Sequence, residues 1–198
     1  GLHSARTILY SVDFQDIEVL QNAGAWAAAT ELLADAAQGV ERAGADFLLI
    51  CTNTMHKVAD DVAASISIPL LHIADATADR IIGSGASTVG LLGTRFTMEE
   101  EFYKGRLQQR GIHVLIPTAS ERRLVHRVIY DELCLGNIRD ASRIAFLKII
   151  DGLVQRGAEA VIEGCTEIGM LVKDEHTGVD LFDTTRIHAE QAVARALA

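Results

Sequence analysis

Aliphatic runs and helical stretches alternate along the whole chain. Short β-branched or aliphatic runs are separated by alanine-rich stretches in which apolar residues recur at helical spacing. This alternation is typical of repeated strand and helix units around a parallel sheet, and it predicts an α/β fold. The runs predict strands at residues 7–12, 47–51, 70–73, 88–92, 113–116, 160–162 and 181–182.

Helical periodicity is clearest in three segments, at residues 26–42, 98–110 and 139–156. Each is followed by a glycine (Gly44, Gly111 and Gly157) where helices commonly end in a left-handed cap. Thr97 and Glu100 have the spacing of a capping box, so they predict the start of the second helix.

An internal repeat relates residues 44–54 to residues 157–167. Each segment begins with Gly-Ala and an acidic residue, continues into an apolar strand and ends in a polar turn. Thr52 and Cys165 occupy the same place in the two segments. Ligands bind at the carboxyl ends of strands in open α/β sheets, so the repeat predicts two facing halves with these turns in the cleft. The alternative is that any two βα units share this order of glycine, apolar strand and polar turn.

Composition narrows the function classes. The chain has 198 residues and a formal net charge of −9, which disfavours nucleic-acid binding. No apolar run approaches the ~18 residues of a membrane span. Three widely spaced cysteines fit no disulfide framework, so we expect a reducing, cytoplasmic location. The histidines have no metal-ligand spacing and no phosphate-binding loop is present, so we expect no metal and no nucleotide.

Cys165 is the first candidate for chemistry. It stands between a strand and a short helix with polar residues on both sides, a position where the pKa of a thiol falls and its thiolate becomes useful. The alternative is a buried cysteine that acts as a small hydrophobe. Cys134, between two leucines, is predicted to be a core residue.

Thr52 begins a polar cluster that follows an apolar strand. The cluster could cap the next helix, or its donors could hold a carboxylate. His56 fits a supporting or capping role, and Cys51 should point to the face opposite Thr52. Gln21 could reach over the cleft. Arg6, Lys57 and Arg95 could each pair with a distal carboxylate or remain surface charges, and these alternatives stay open.

Five segments together resemble the aspartate/glutamate racemase family. They are Cys51-Thr52-Asn53-Thr54-Met55-His56-Lys57, Leu71-His72-Ile73-Ala74-Asp75-Ala76-Thr77, Leu92-Gly93-Thr94-Arg95-Phe96-Thr97-Met98, Gly164-Cys165-Thr166-Glu167-Ile168 and Phe182-Asp183-Thr184-Thr185. The likeness covers nearly the whole chain in order. It is closest to the broad-specificity amino acid racemase branch, which also has threonine at the first catalytic position.

The resemblance implies a cofactor-independent racemase made of two similar α/β halves related by a pseudo-two-fold axis, usually a homodimer. We expect residues 1–86 plus 186–198 to form the first half and residues 87–185 the second. The resemblance further implies that Thr52 and Cys165 are opposed bases acting on the α-carbon of aspartate, glutamate or a related amino acid. In the family, a set of residues binds the substrate carboxylate, and the corresponding residues here are Asn53, Thr54, Thr166 and Glu167.

Two other functions remain compatible with the sequence. One is a single-cysteine decarboxylase or isomerase of the same superfamily, and the other is a degenerate protein that only binds an amino acid. Relatives also begin with a further βα unit that this sequence does not contain, and activity is expected only if the physical protein has that unit.

Overall fold

The computed structural model describes residue 2 and residues 5–198. The strands are β1 (Leu48–Leu49), β2 (Leu70–Leu71), β3 (Thr88–Gly93), β4 (His113–Leu115), β5 (Ala160–Gly164) and β6 (Asp180–Asp183). The α-helices are α1 (Phe14–Ala23), α2 (Trp26–Arg42), α3 (Ala59–Ala64), α4 (Ile73–Ser84), α5 (Arg95–Glu99), α6 (Glu101–Gln109), α7 (Ala119–Asp131), α8 (Asp140–Gln155), α9 (Ile168–Leu171) and α10 (Thr184–Ala196). Short 3-10 helices cover Thr54–Val58, Leu133–Leu135 and Asp174–His176.

The strands form two parallel sheets. The smaller sheet contains β1 and β2, and the larger has the order β4-β3-β5-β6. Because every pairing is parallel and the connections contain helices, the predicted α/β class is confirmed. Within residue 2 and residues 5–198, no helix combines the length and the apolar character needed to cross a bilayer.

Two apolar clusters hold the fold together. The smaller packs α1 to α3 against β1 and includes Ala29, Met55 and Val62. The larger surrounds the four-stranded sheet, where Leu91 and Val161 have no exposed surface. Burial of these strands on both faces explains why their sequences are continuously apolar rather than alternating.

The strand predicted at residues 7–12 is wrong. Residues 7–10 are exposed and outside any sheet. Tyr10 packs instead on α2, where a Cβ added to Gly39 would lie 3.1 Å from Tyr10 Cε2. A strand is stable only when a neighbouring strand accepts its backbone hydrogen bonds, and β1 pairs with β2. The other predicted strands overlap observed ones, although the run at 47–51 contributes only Leu48–Leu49.

The helix predicted at 98–110 is divided, and its capping box is absent. Thr94 rather than Thr97 caps α5, accepting a hydrogen bond from the Thr97 N–H at 3.3 Å. Glu100 lies in extended backbone between α5 and α6, and its carboxylate pairs with Lys57 Nζ at 2.5 Å. Because Glu100 is paired with Lys57, its side chain does not form the predicted capping box. The three predicted cap glycines do have left-handed backbone.

Gly93 and Gly164 face each other at the ends of β3 and β5. A Cβ on Gly164 would lie 2.7 Å from the Leu92 carbonyl oxygen, which is closer than real contacts allow. We predict that Gly164→Ala lowers the free energy of unfolding by about 1–3 kcal/mol because backbone must move. Urea unfolding followed by circular dichroism measures this.

Gly152→Ala is the matched control. Gly152 lies inside α8, and a Cβ there would meet nothing within 4 Å. The control should stabilise the protein by about 0.5–1 kcal/mol, because alanine favours helix more than glycine does. Equal unfolding curves for Gly164→Ala and the wild type would show that the strand ends are not in close contact.

Candidate active site

One cavity of about 360 Å³ brings together the turns that follow β1 and β5. All six residues singled out from the sequence line it: Thr52, Asn53, Thr54, Cys165, Thr166 and Glu167. Thr94, at the end of β3, also contributes. The carboxyl ends of parallel strands thus converge on the cavity, which is where ligands bind in this architecture.

His56 fixes the turn that carries Thr52. Its Nδ1 lies 2.8 Å from the Thr52 carbonyl oxygen, and its Nε2 accepts a hydrogen bond from the Ile73 N–H at 3.1 Å. Burial, followed by the charge of His72, lowers the pKa of His56 well below its ordinary value. The neutral tautomer that donates from Nδ1 and accepts at Nε2 satisfies both contacts. His56 therefore has the supporting role that the sequence suggested.

Asn53 and Thr54 connect the first turn to the larger sheet. Asn53 Nδ2 donates to Thr184 Oγ1 at 3.0 Å, and Thr184 Oγ1 donates to the Glu163 carbonyl oxygen at 2.8 Å. Thr54 Oγ1 lies 2.9 Å from Thr94 Oγ1. Both side chains are buried, so these hydrogen bonds bind the turn firmly to the second sheet.

Cys165 is buried, and its thiol donates to Glu167 Oε2 at a Sγ to oxygen distance of 2.9 Å. Burial, and then the negative charge of Glu167, raises the pKa of Cys165 well above its ordinary value. The expectation of a lowered pKa is therefore wrong. The reason is that burial of the thiol, with the added charge of Glu167, outweighs the dipole of α9, which has only 4 residues.

The two other cysteines also line this cavity, against expectation. Cys134 is exposed rather than part of the core, because Leu133 takes the buried position of its short 3-10 helix. Burial raises the pKa of Cys134 to about 11, with a further contribution from the charge of Glu167. Cys51 is exposed at the cavity because β1 ends at Leu49, so strand alternation does not reach it.

Helices α1 and α7 supply wall residues that sequence reasoning missed. Phe14 stacks on Tyr130 with ring centroids 6.4 Å apart, and Ile129 lies beside them in the wall. Gln21, expected over the cleft, is buried in the wall, where its Oε1 accepts from the Tyr130 hydroxyl at 2.9 Å. No local motif marks Phe14, Ile129 or Tyr130, because they reach the cavity only through tertiary packing.

The cations considered as partners for a distal carboxylate are engaged elsewhere or lie outside. Lys57 pairs with Glu100 and lies 4.0 Å from the Trp26 ring centroid. The Arg95 guanidinium lies 4.8 Å from the Phe96 ring centroid. Glu167 is the one charged side chain of the cavity wall within residue 2 and residues 5–198. Over the same residues, no group of three potential metal ligands is present.

Comparison with known proteins identifies the family of the chain. The sequence profile of the Asp/Glu/hydantoin racemase family matches residues 1–192. A crystal structure from Yersinia pestis, assigned as an Asp/Glu racemase, is 52% identical with a TM-score of 0.92, covering 100% of this chain and 86% of that one. An aspartate racemase homologue from Pyrococcus horikoshii is 34% identical with a TM-score of 0.83, covering 96% and 83%. The broad-specificity amino-acid racemase of Bacillus subtilis is 24% identical over 164 residues, 83% of this chain and 70% of that protein.

The fold and the paired turns thus define an enzyme of the isomerase class. The chain belongs to the Asp/Glu/hydantoin racemase family.

The thiol and Glu167 are electrostatically coupled, which alkylation can measure. We predict that Cys165 reacts with iodoacetamide only at strongly alkaline pH, because its pKa is raised. In Glu167→Gln the negative charge is lost, so the pKa of Cys165 falls and the reactivity profile moves to lower pH. Mass spectrometry of the Cys165 peptide at a series of pH values separates it from Cys51 and Cys134.

Glu175→Gln serves as the control, because Glu175 is exposed and outside the cavity wall. Its alkylation profile should match the wild type. A Cys165 profile that does not move in Glu167→Gln would show that burial alone sets the pKa.

Proposed function

We propose that the chain is a cofactor-independent amino acid racemase that moves the α-proton of aspartate, glutamate or a related amino acid with two bases. Thr52 and Cys165 are the bases. The observation that carries the proposal is that these two residues, on equivalent turns after β1 and β5, line one cavity. Family membership supports the reaction class.

The reaction needs one base to remove the α-proton and an acid on the other face to return one. When Cys165 is the base, its thiolate takes the α-proton, the substrate becomes a carbanion, and the Thr52 hydroxyl donates a proton to the opposite face. The reverse direction exchanges these roles. Asn53, Thr54 and Thr166, which line the same cavity, hold the substrate carboxylate.

Glu167 is better suited to the substrate ammonium than to its carboxylate, since like charges repel. Burial and then the negative charge of Glu167 raise the pKa of Cys165, and an ammonium beside Glu167 compensates the second of these causes. The thiol then loses its proton to water more readily. Cys165 thus becomes a base when the substrate is bound, and remains an unreactive thiol when the cavity is empty.

Thr52 is the weaker partner, because a hydroxyl has no accessible anion near neutral pH without assistance. His56 holds the Thr52 carbonyl rather than its hydroxyl, and burial keeps that imidazole neutral. The two directions of proton transfer therefore have different barriers. Exchange with solvent should be faster for the enantiomer that presents its α-proton to Cys165.

A homodimer, a cytoplasmic location and the division into residues 1–86 plus 186–198 and residues 87–185 belong to the same proposal. The sequence resemblance supports the homodimer and the division, and the three widely spaced cysteines support the cytoplasmic location. The decarboxylase and the binding-only alternatives remain to be separated from the racemase by experiment.

Proton exchange in D₂O, followed by NMR with both enantiomers of aspartate, glutamate, asparagine and glutamine, tests the proposal. We predict that Cys165→Ser reduces exchange by about 10²–10⁴-fold, the usual contribution of a general base. Thr52→Ala should reduce exchange unevenly between the enantiomers. Cys51→Ser, which changes a neighbouring wall residue without a proposed role, should retain wild-type exchange.

Wild-type exchange that persists in Cys165→Ser would contradict the thiol mechanism. Binding of these amino acids without any exchange would favour the binding-only protein, and release of carbon dioxide from a malonate would favour the decarboxylase.

A further inference from the structure

We propose that the cavity selects an amino acid with an uncharged side chain over an acidic one. This inference rests on the proposed function and names the substrate class of the same site. It is carried by the chemistry of the wall that α1, α7 and the 3-10 helix Leu133–Leu135 build beside the two catalytic turns.

That wall is apolar or neutral. Phe14 and Tyr130 present stacked rings, and Ile129 contributes a buried aliphatic side chain. Cys134 contributes a thiol whose pKa of about 11 keeps it neutral at physiological pH. A substrate side chain here meets surface that favours methylene, thioether or amide groups.

The polar groups of the wall are oriented away from anion binding. The Tyr130 hydroxyl donates its proton to Gln21 Oε1 at 2.9 Å, so its oxygen can only accept from a ligand. Gln21 Nε2 donates one of its hydrogens to Met55 Sδ at 3.0 Å. An amide side chain could donate to the Tyr130 oxygen, whereas a carboxylate would be repelled by it.

Charge leads to the same conclusion. Within residue 2 and residues 5–198, no lysine or arginine lines the cavity, and its charged member is Glu167. The neighbouring Lys57 is paired with Glu100, and Arg95, whose charge reaches Tyr130 from outside the wall, has its guanidinium over the Phe96 ring. A distal carboxylate would therefore lose water without contacting a cation of the wall and would share 360 Å³ with another carboxylate. An uncharged side chain of the same shape avoids both costs.

The test compares isosteric substrates of the full chain. Asparagine has nearly the shape of aspartate and glutamine that of glutamate, so each pair differs mainly in charge. We predict that kcat/KM at pH 7.5 is at least tenfold higher for the amide in each pair, chiefly through a lower KM. The rate is measured as the loss of the circular dichroism of a pure enantiomer, or as exchange of its α-proton.

Cys134→Lys places a cation in this wall at an exposed position that tolerates a long side chain. It should move the aspartate to asparagine ratio of kcat/KM at least tenfold toward aspartate. Cys134→Met adds similar length without charge and should leave that ratio unchanged.

Aspartate or glutamate used as well as its amide by the wild type would overturn the inference while leaving the racemase intact. An unchanged ratio in Cys134→Lys would likewise show that wall charge does not set specificity. Absence of exchange with all four amino acids would instead remove the proposed function, and the inference with it.

Discussion

The site depends on the turn after β1 being held against the four-stranded sheet. The hydrogen bonds from Asn53 through Thr184 to the Glu163 carbonyl make this attachment. Glu163 lies in β5, two residues before Cys165. Because all three residues are buried, breaking these hydrogen bonds would leave unpaired polar groups in the interior. The same hydrogen bonds therefore hold the turn that carries Thr52 against the strand that leads to Cys165. The glycines at the ends of β3 and β5 add to this by allowing their backbones to approach closely.

The charge of the second turn is concentrated on Glu167, because Glu163 and Cys165 retain their protons near neutral pH. Burial, and then the charge of Asp183, raises the pKa of Glu163 to about 8, and Cys165 is held as a thiol by burial and Glu167. Glu167 then carries the negative charge of the cavity wall over the residues described, and an α-ammonium can satisfy it. The side-chain carboxylate of an acidic substrate has no comparable partner in the cavity wall over the same residues. The proposed activation of the thiol and the proposed selection against acidic side chains thus share one electrostatic cause.

Sequence periodicity predicted most of this arrangement, because strands, cap glycines and polar turns are encoded locally. The repeat was sufficient to place Thr52 and Cys165 in equivalent turns. It failed where distant contacts decide the outcome: residues 7–10 pair in no sheet while Tyr10 packs on α2, and Glu100 turns to Lys57 instead of capping a helix. The pKa of Cys165 depends on the rotamer of Glu167, which no periodicity reports. Phe14 and Tyr130 meet only in the folded protein.

The two bases that we propose, a hydroxyl and a thiol, are unequal, and this inequality limits where asymmetry between the enantiomers can appear. Enantiomers have equal free energies, so the equilibrium constant of racemisation is one and kcat/KM must be the same in both directions. A weak Thr52 therefore cannot make the enzyme favour one enantiomer by that measure. It can raise the barrier for one proton transfer relative to the other, so kcat and KM change together and solvent deuterium enters one enantiomer sooner. Unequal isotope entry at equal kcat/KM is consequently what distinguishes a hydroxyl facing a thiol from two equivalent thiols.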